Sequence, residues 1–276
     1  LTRYTKKEIK ILLSAFEVNI TRLIKKYKNV DDISENELHK IQNKFDSEYK
    51  FFDKKSRKLL NKLSHYDDLT KDEYKKILST LKKLTKKELK KIMKIDRDLL
   101  DSTYNNLKNY KELPSSHAFT TFNGLVFKGL EKSSYKDPEF RYIEHNVRIL
   151  DALHGVLEPG TLIRPYRLDM KMNIGINLYK FWDIKPYFKD EIIVNLASTE
   201  YSKMLEGCNL INIAFLQEED GRFINQATYS KQARGKFLNY LILNKIENIK
   251  LMKKYQSDNY KYNESLSNDS NLVFTR

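Results

Sequence analysis

One cysteine, one tryptophan, five prolines and eight glycines serve 276 residues. The lone Cys208 excludes an internal disulfide and any iron–sulfur or zinc site built from several thiolates. It suits a reducing compartment, so a cytoplasmic location is expected. No Pro or Gly precedes Pro114, which leaves the first part of the chain without the usual helix breakers. No apolar run approaches the ~18 residues of a membrane span, so neither a secretory leader nor a membrane role is expected. The first residue is Leu1 rather than Met, so a missing native start is expected. G-x-S-x-G, G-x-G-x-x-G and the phosphate-loop motif are all absent. The five histidines (His39, His65, His117, His145, His154) stand at no ligand spacing. No metal, cofactor or catalytic residue is therefore assigned, and the reading leans away from an enzyme.

Positive charge and aromatic rings are what the chain does have. Eighteen Tyr and fourteen Phe supply a core, and the formal net charge is +14. The charge is uneven: residues 1–113 carry 29 Lys/Arg against 18 Asp/Glu, and residues 114–276 carry 22 against 19. A field of that sign attracts polyanions, nucleic acid first. A Lys-rich composition reflecting base bias alone is the alternative.

Helix starts recur in the first part. Thr5–Glu8, Ser34–Glu37, Thr70–Glu73 and Thr85–Glu88 all match the capping box, a hydroxyl followed three residues on by a carboxylate. From "LPSSHAFTTFNGLVFKGL" onward Gly and Pro enter and β-like runs begin. The pattern predicts a strand over His117–Phe122 with a turn at Asn123–Gly124. A helix follows over Pro138–Leu153, with Gly155 as its left-handed cap. Strands are predicted over Pro165–Met170 and Glu191–Leu196, and a hairpin around "EEDG". A helix runs from a Ser230 cap to about Lys245, and the polar tail is loosely ordered until Leu272–Phe274. The fold class is α+β, a helical N-terminal part joined to a mixed-sheet core.

Four stretches could carry chemistry. In "LTKKELKKIMKIDRDLLDSTYNNL" a helix after Thr85 puts Leu89, Ile92 and Met93 on one face and Lys86, Lys87, Lys90, Lys91 and Lys94 on the other. Asp96 caps the next helix, whose stripe is Leu99, Leu100, Tyr104 and Leu107. This resembles a helix–hairpin–helix nucleic-acid module without its usual hairpin glycine; a solvated lysine face is the competing reading. In "RPYRLDMK", Arg167 and Asp169 share a face and are expected to pair, because an inward charge is costly alone. Arg164 and Lys171 then stay free to cradle an anion. In "IIVNLASTEYSKM", a buried strand runs into a Ser-capped helix whose free N–H groups suit an anionic ligand; Asn195 and Ser198 would offer hydrogen bonds there, and Glu200 follows. In "YSKQARGKF", Lys231 and Arg234 fall in the first turn of a helix, an unfavourable place for cations. Either an acid such as Glu200 or Asp169, or a bound anion, should offset them.

The segments "FNGLVFKGL", "LDALHGVLEPGTLIRPYRLDMKM", "NLYKFW", "IIVNLASTEYSKML", "TYSKQARGKFLNYLI" and "SNLVFTR" occur in this order. Together they resemble the YaaA family of bacterial peroxide-stress proteins, over roughly Thr70 to Arg276. The resemblance implies a role in limiting intracellular iron and damage under peroxide stress. It also implies DNA binding through a helix–hairpin–helix-like element, matched here by Thr85 to Tyr110, beside a basic cleft. Asn123, Arg164, Arg167, Asp169, Asn195, Ser198, Glu200, Lys231 and Arg234 would line that cleft. Residues 1–69 form a Lys-rich helical segment outside the resemblance, and the family's opening S-P-[AS]-K segment is not found. The resulting expectation is a cytoplasmic DNA-binding stress protein. The alternatives are an enzyme acting on a nucleotide or other small anion in the same cleft, and an interaction protein whose first helices dock a partner.

Overall fold

The computed structural model describes residues 73–276. The helices predicted over 1–69 lie outside the described residues, as do the capping boxes at Thr5 and Ser34 and the Thr70 half of the third. Residues 73–83 are helical (α1) and bury Ile77, Leu78 and Leu81. Thr85 opens α2 (Lys86–Met93) with the predicted capping box. The Glu88 N–H donates to Thr85 Oγ1 at 3.3 Å, and the Thr85 N–H donates to Glu88 Oε2 at 2.8 Å. Both orphan donors of the first turn are thereby satisfied. Buried Ile95 fills the joint, and Asp96 Oδ1 accepts the Arg97 N–H at 2.9 Å to start α3 (Arg97–Lys108). The inward face of α3 is Leu100, Thr103 and Leu107, an i, i+3, i+7 stripe. Leu99, expected in that stripe, sits beside it and is 48% exposed.

Beyond α3, two predictions about local structure give way. The strand expected over His117–Phe122 survives only as β1 (Ser116–His117), and Ala118–Thr121 is a helical turn. The hydroxyls of Thr120 and Thr121 both donate to the His117 carbonyl at 2.9 Å, a local bond that competes with the ladder. The helix predicted over Pro138–Leu153 is α4 (Asp137–Asn146) and stops seven residues early. Arg148 Nη1 donates to the Glu144 and Val147 carbonyls, so the helix end is closed by a side chain. The chain then turns into a hairpin, β2 (Ile149–Asp151) against β3 (Gly155–Leu157). Gly155 does take a positive φ of 76°, but inside β3 rather than at a helix cap. β4 (Leu162–Ile163) pairs back onto β1.

The main sheet is mixed, as predicted. β5 (Ile192–Asn195), β6 (Asn209–Glu219) and β9 (Asn271–Thr275) run parallel. β7 (Arg222–Ile224) pairs antiparallel with the end of β6, and β8 (Lys261–Tyr262) with β9. Asp220 and Gly221, at φ 52° and 73°, make the two-residue hairpin that "EEDG" announced. The tail expected to be loose is instead held locally. Asn263 Oδ1 accepts the Leu266 N–H, and Ser267 Oγ accepts the Val273 N–H. Asn195, Asn212 and Asn271 stand in register across the three parallel strands, each amide donating to the next at 2.8 and 3.2 Å.

Helix α5 (Ala227–Asn244) lies on this sheet. Phe237 is fully buried, with ring centroids 5.9 Å from Phe215 and 5.5 Å from Phe274. Gly235 lets the helix meet the 126–129 turn backbone to backbone: a Cβ there would come 2.1 Å from the Val126 carbonyl oxygen. Elsewhere Tyr74 of α1, His154 and Tyr166 form a ring cluster, tilted and edge-on, with centroids 5.0 and 5.4 Å apart. His154 Nε2 is buried in it with no hydrogen-bond partner.

Two outcomes follow from this packing. Gly235→Ala should cost about 1–3 kcal/mol or more in urea denaturation, since backbone on both sides has nowhere to move. Gly124→Ala, with nothing within 4 Å of its added methyl, should stay within about 0.5 kcal/mol. The second concerns pH. Burial holds the His154 imidazole below its ordinary value of 6.5, outweighing nearby Asp151. The unfolded chain therefore takes the proton first, so this contribution is whole above 6.5 and lost as pH falls from there towards the depressed folded value. His154→Phe should flatten the fall in thermal midpoint between neutral and mildly acidic pH. A variant as acid-sensitive as the parent would show that another group sets that slope.

Candidate functional site

The lysine face of α2 is exposed at Lys86, Lys87, Lys90, Lys91 and Lys94. Two of these cations are spent within the helix pair. Lys86 meets Asp101 at 2.5 Å and Lys90 meets Asp96 at 2.8 Å, so they tie α2 to α3. Lys90 is also the main cause of the lowered Asp96 pKa, with the Arg97 N–H second. Lys87, Lys91 and Lys94 have no ion pair among the described residues. The joint lacks glycine, and Lys94 itself supplies the left-handed residue at φ 52°.

The stretch after Pro165 joins no sheet. Its alternation is nonetheless real. Leu168 and Met170 are buried, while Arg167, Asp169 and Lys171 point out. The expected Arg167–Asp169 ion pair does not form: outside a sheet, Arg167 extends into water and no longer needs an acid. Asp169 instead has a raised pKa, from burial first and then repulsion by Glu200, with Arg167 only partly opposing. Lys171, expected to be free, is engaged with Glu200. Its N–H donates to Oε1 at 3.2 Å and its Nζ lies 3.5 Å from Oε2. Arg164 Nε donates to the Leu113 carbonyl at 3.0 Å, joining this segment to the end of the helical part.

The β5 end reads differently from its sequence too. Asn195 is 7% exposed and its amide is fully used, donating to Ser202 Oγ and Asn212 Oδ1 at 2.8 Å each and accepting the Ala197 N–H. It is a lattice point of the sheet. Ser198 precedes the helical turn Thr199–Ser202, but its side chain makes no capping bond. Asn123 lies exposed on the loop before the 126–129 turn.

Helix α5 begins at Ala227 after a Gln226 cap, not at Ser230. Lys231 and Arg234 therefore lie beyond its first turn, and the dipole penalty expected for them falls away. Burial replaces it for Arg234, which is 8% exposed. Its Nε donates to the Ser230 carbonyl at 3.2 Å and its Nη1 to the Leu196 carbonyl at 3.1 Å. No carboxylate pairs with it among the described residues, and burial lowers its pKa. A buried cation without an anion is costly by several kcal/mol unless hydrogen bonds compensate it. Lys231, one turn earlier, is exposed.

A second group of residues escaped the sequence reading. Buried Asp151 accepts the Leu153 and His154 N–H groups at 2.9 and 2.8 Å, shaping the β2–β3 turn. Its charge reaches Tyr166 and Tyr201, whose phenols are both pushed up, by burial first. Asp169 and Glu200 add to the effect at Tyr201. Nothing in "LDALHG" signals this, because its apolar spacing reads as helix. Residues 170–173 and 175–179 line a concavity of about 300 Å³ that includes Lys171, Met172 and Asn173. Among the described residues no cluster of His, Cys, Asp or Glu could hold a metal ion, and no helix is long and apolar enough to cross a membrane.

Comparison with known proteins bears out the family resemblance, over other bounds. The sequence profile described as "Peroxide stress protein YaaA" matches residues 46–266, starting ahead of Thr70. A UPF0246 protein of Fusobacterium nucleatum is 38% identical over 225 residues, covering 78% of this chain and 91% of the relative. One from Clostridium beijerinckii is 36% identical over 226 residues, 74% and 87% of the two chains. Another, from Francisella philomiragia, is 35% identical over 227 residues, 75% and 89%. With a profile match over most of its length and relatives of this identity, the chain belongs to the YaaA family of peroxide stress proteins.

Proposed function

We propose that this protein serves the peroxide-stress response from the cytoplasm by binding DNA and helping to limit iron-dependent oxidative damage. The observation that carries the reading is the face of α2, where Lys87, Lys91 and Lys94 are exposed and have no acidic partner among the described residues. The overall charge of +14 supplies a long-range attraction for a polyanion. Lysine ammonium groups on a helix surface meet phosphates as point charges and read no base edges, so the binding is phosphate-directed and weakly sequence-specific. Lys86 and Lys90 contribute less, because their contacts with Asp101 and Asp96 must be exchanged for phosphate.

The test is the salt dependence of duplex DNA binding by the full chain. If the three free lysines each meet a phosphate, their share of the slope of log K against log salt is about −2.7. Replacing Lys87, Lys91 and Lys94 by Ala should make the slope shallower by about one unit per residue, with little dependence on DNA sequence. Lys86→Ala with Lys90→Ala should change it less. Unchanged affinity and slope in the triple variant would falsify the assignment of this face.

A further inference from the structure

We propose that Met172 is a site of reversible oxidation by hydroperoxides, and that its sulfoxide opens the turn that holds Lys171 against Glu200. Three observations carry the proposal. The chain has five methionines, and Met93, Met170, Met204 and Met252 are buried at no more than 5% exposure. Met172 alone is half-buried, on the wall of the concavity of about 300 Å³, so an oxidant as small as hydrogen peroxide has a path to it from solvent. Its thioether also holds the backbone. Sδ accepts the Asp169 N–H at 3.4 Å while the Met172 N–H donates to the Asp169 carbonyl at 3.0 Å, so the two residues clasp the 169–172 turn from both sides. Lys171 lies inside that turn, and its N–H and its ammonium both engage Glu200.

The oxidant comes from the family's peroxide-stress role, and the proposal rests on that role rather than on DNA binding. The reaction needs no other reagent. A lone pair of Sδ attacks one oxygen of hydrogen peroxide, the O–O bond breaks and an S–O bond forms. The departing hydroxide takes the proton of the transferred hydroxyl and leaves as water. Sulfur loses two electrons and peroxide gains them, giving methionine sulfoxide. The product no longer fits the clasp. Sulfoxide sulfur is electron-poor and stops accepting, and the new oxygen becomes the acceptor. An N–H···O bond spans roughly 2.9 Å, and the S–O bond adds to that length. The turn must therefore widen from its 3.4 Å contact or give up the bond. Sulfoxide reductases reverse the change, one enzyme for each epimer. Cys208, the lone thiol, is half-buried, and burial raises its pKa and so lowers its share of reactive thiolate.

Peptide mass mapping of the full chain, treated with hydrogen peroxide while folded, tests the selectivity. Trypsin cuts after Lys171 and so places Met170 and Met172 in different peptides, and it reads Cys208 separately. The Met172 peptide should gain one oxygen about tenfold faster than the peptides of the four buried methionines. Amide exchange followed by NMR then tests the turn. In the oxidised chain, exchange at Asp169 and Lys171 should quicken by about threefold or more, and treatment with both sulfoxide reductases should restore it. Met172→Leu keeps the side-chain volume and cannot be oxidised, so peroxide should leave exchange at those two amides unchanged in that variant. The proposal is overturned if Met172 oxidises no faster than the buried methionines, or if its sulfoxide leaves exchange at Asp169 and Lys171 as it was. No DNA enters either measurement, so the reading of the α2 lysine face stands or falls separately.

Discussion

The seat of α5 on the parallel strands governs the rest of the described structure. Phe237 must pack against both Phe215 and Phe274 to complete the core, and Gly235 must touch the 126–129 turn to allow that depth. Arg234 sits between these demands. A helix residue one turn before a fully buried phenylalanine and next to a backbone contact is carried inward whatever its chemistry. Its guanidinium then has to find oxygen, and it finds the Ser230 and Leu196 carbonyls. Packing thus creates the electrostatic feature, and the segment "ARGKF" records both together.

Some of the charge elsewhere is settled by pairing. Lys245 closes on Glu139, Lys236 on Asp258 and Lys171 on Glu200, while α2 and α3 share two more pairs. Two of the unpaired places differ in kind. On α2 there is an exposed outer row, which suits a long flexible polyanion reached through screened contacts. At β5 there is one buried guanidinium, where low polarity strengthens a single contact. The two places differ in burial more than in sign.

Local signals in the sequence were legible where one residue decides the outcome. The Thr85–Glu88 box, the Asp96 cap and the Asp220–Gly221 turn each appear as read, because short-range hydrogen bonds and left-handed backbone positions need no tertiary partner. Hydrophobic periodicity was legible for α2 and for most of α3. It misled over 147–153, where residues spaced like a helix instead form a hairpin shaped by Asp151 and closed off by Arg148. The period-2 pattern after Pro165 correctly gave sidedness, but sidedness is a property of any extended chain and does not promise a ladder partner. For the candidate site, Lys231 and Arg234 stood out through a dipole argument whose premise, a helix start at Ser230, was wrong. Burial is what makes Arg234 notable, and burial has no local sequence signature.

By itself the amino-acid sequence determined the α+β class, the helix starts at Thr85 and Asp96, the lysine face and the family, because capping, alternation, charge spacing and motif order are all local in the chain. Only the tertiary structure decided which charges are spent. Pairing Lys171 with Glu200, leaving Arg167 and Asp169 apart and sinking Arg234 without an acid depend on groups brought together from distant segments. Ion pairing and desolvation act over a few ångströms in space, irrespective of distance along the chain, and the fold alone sets those ångströms.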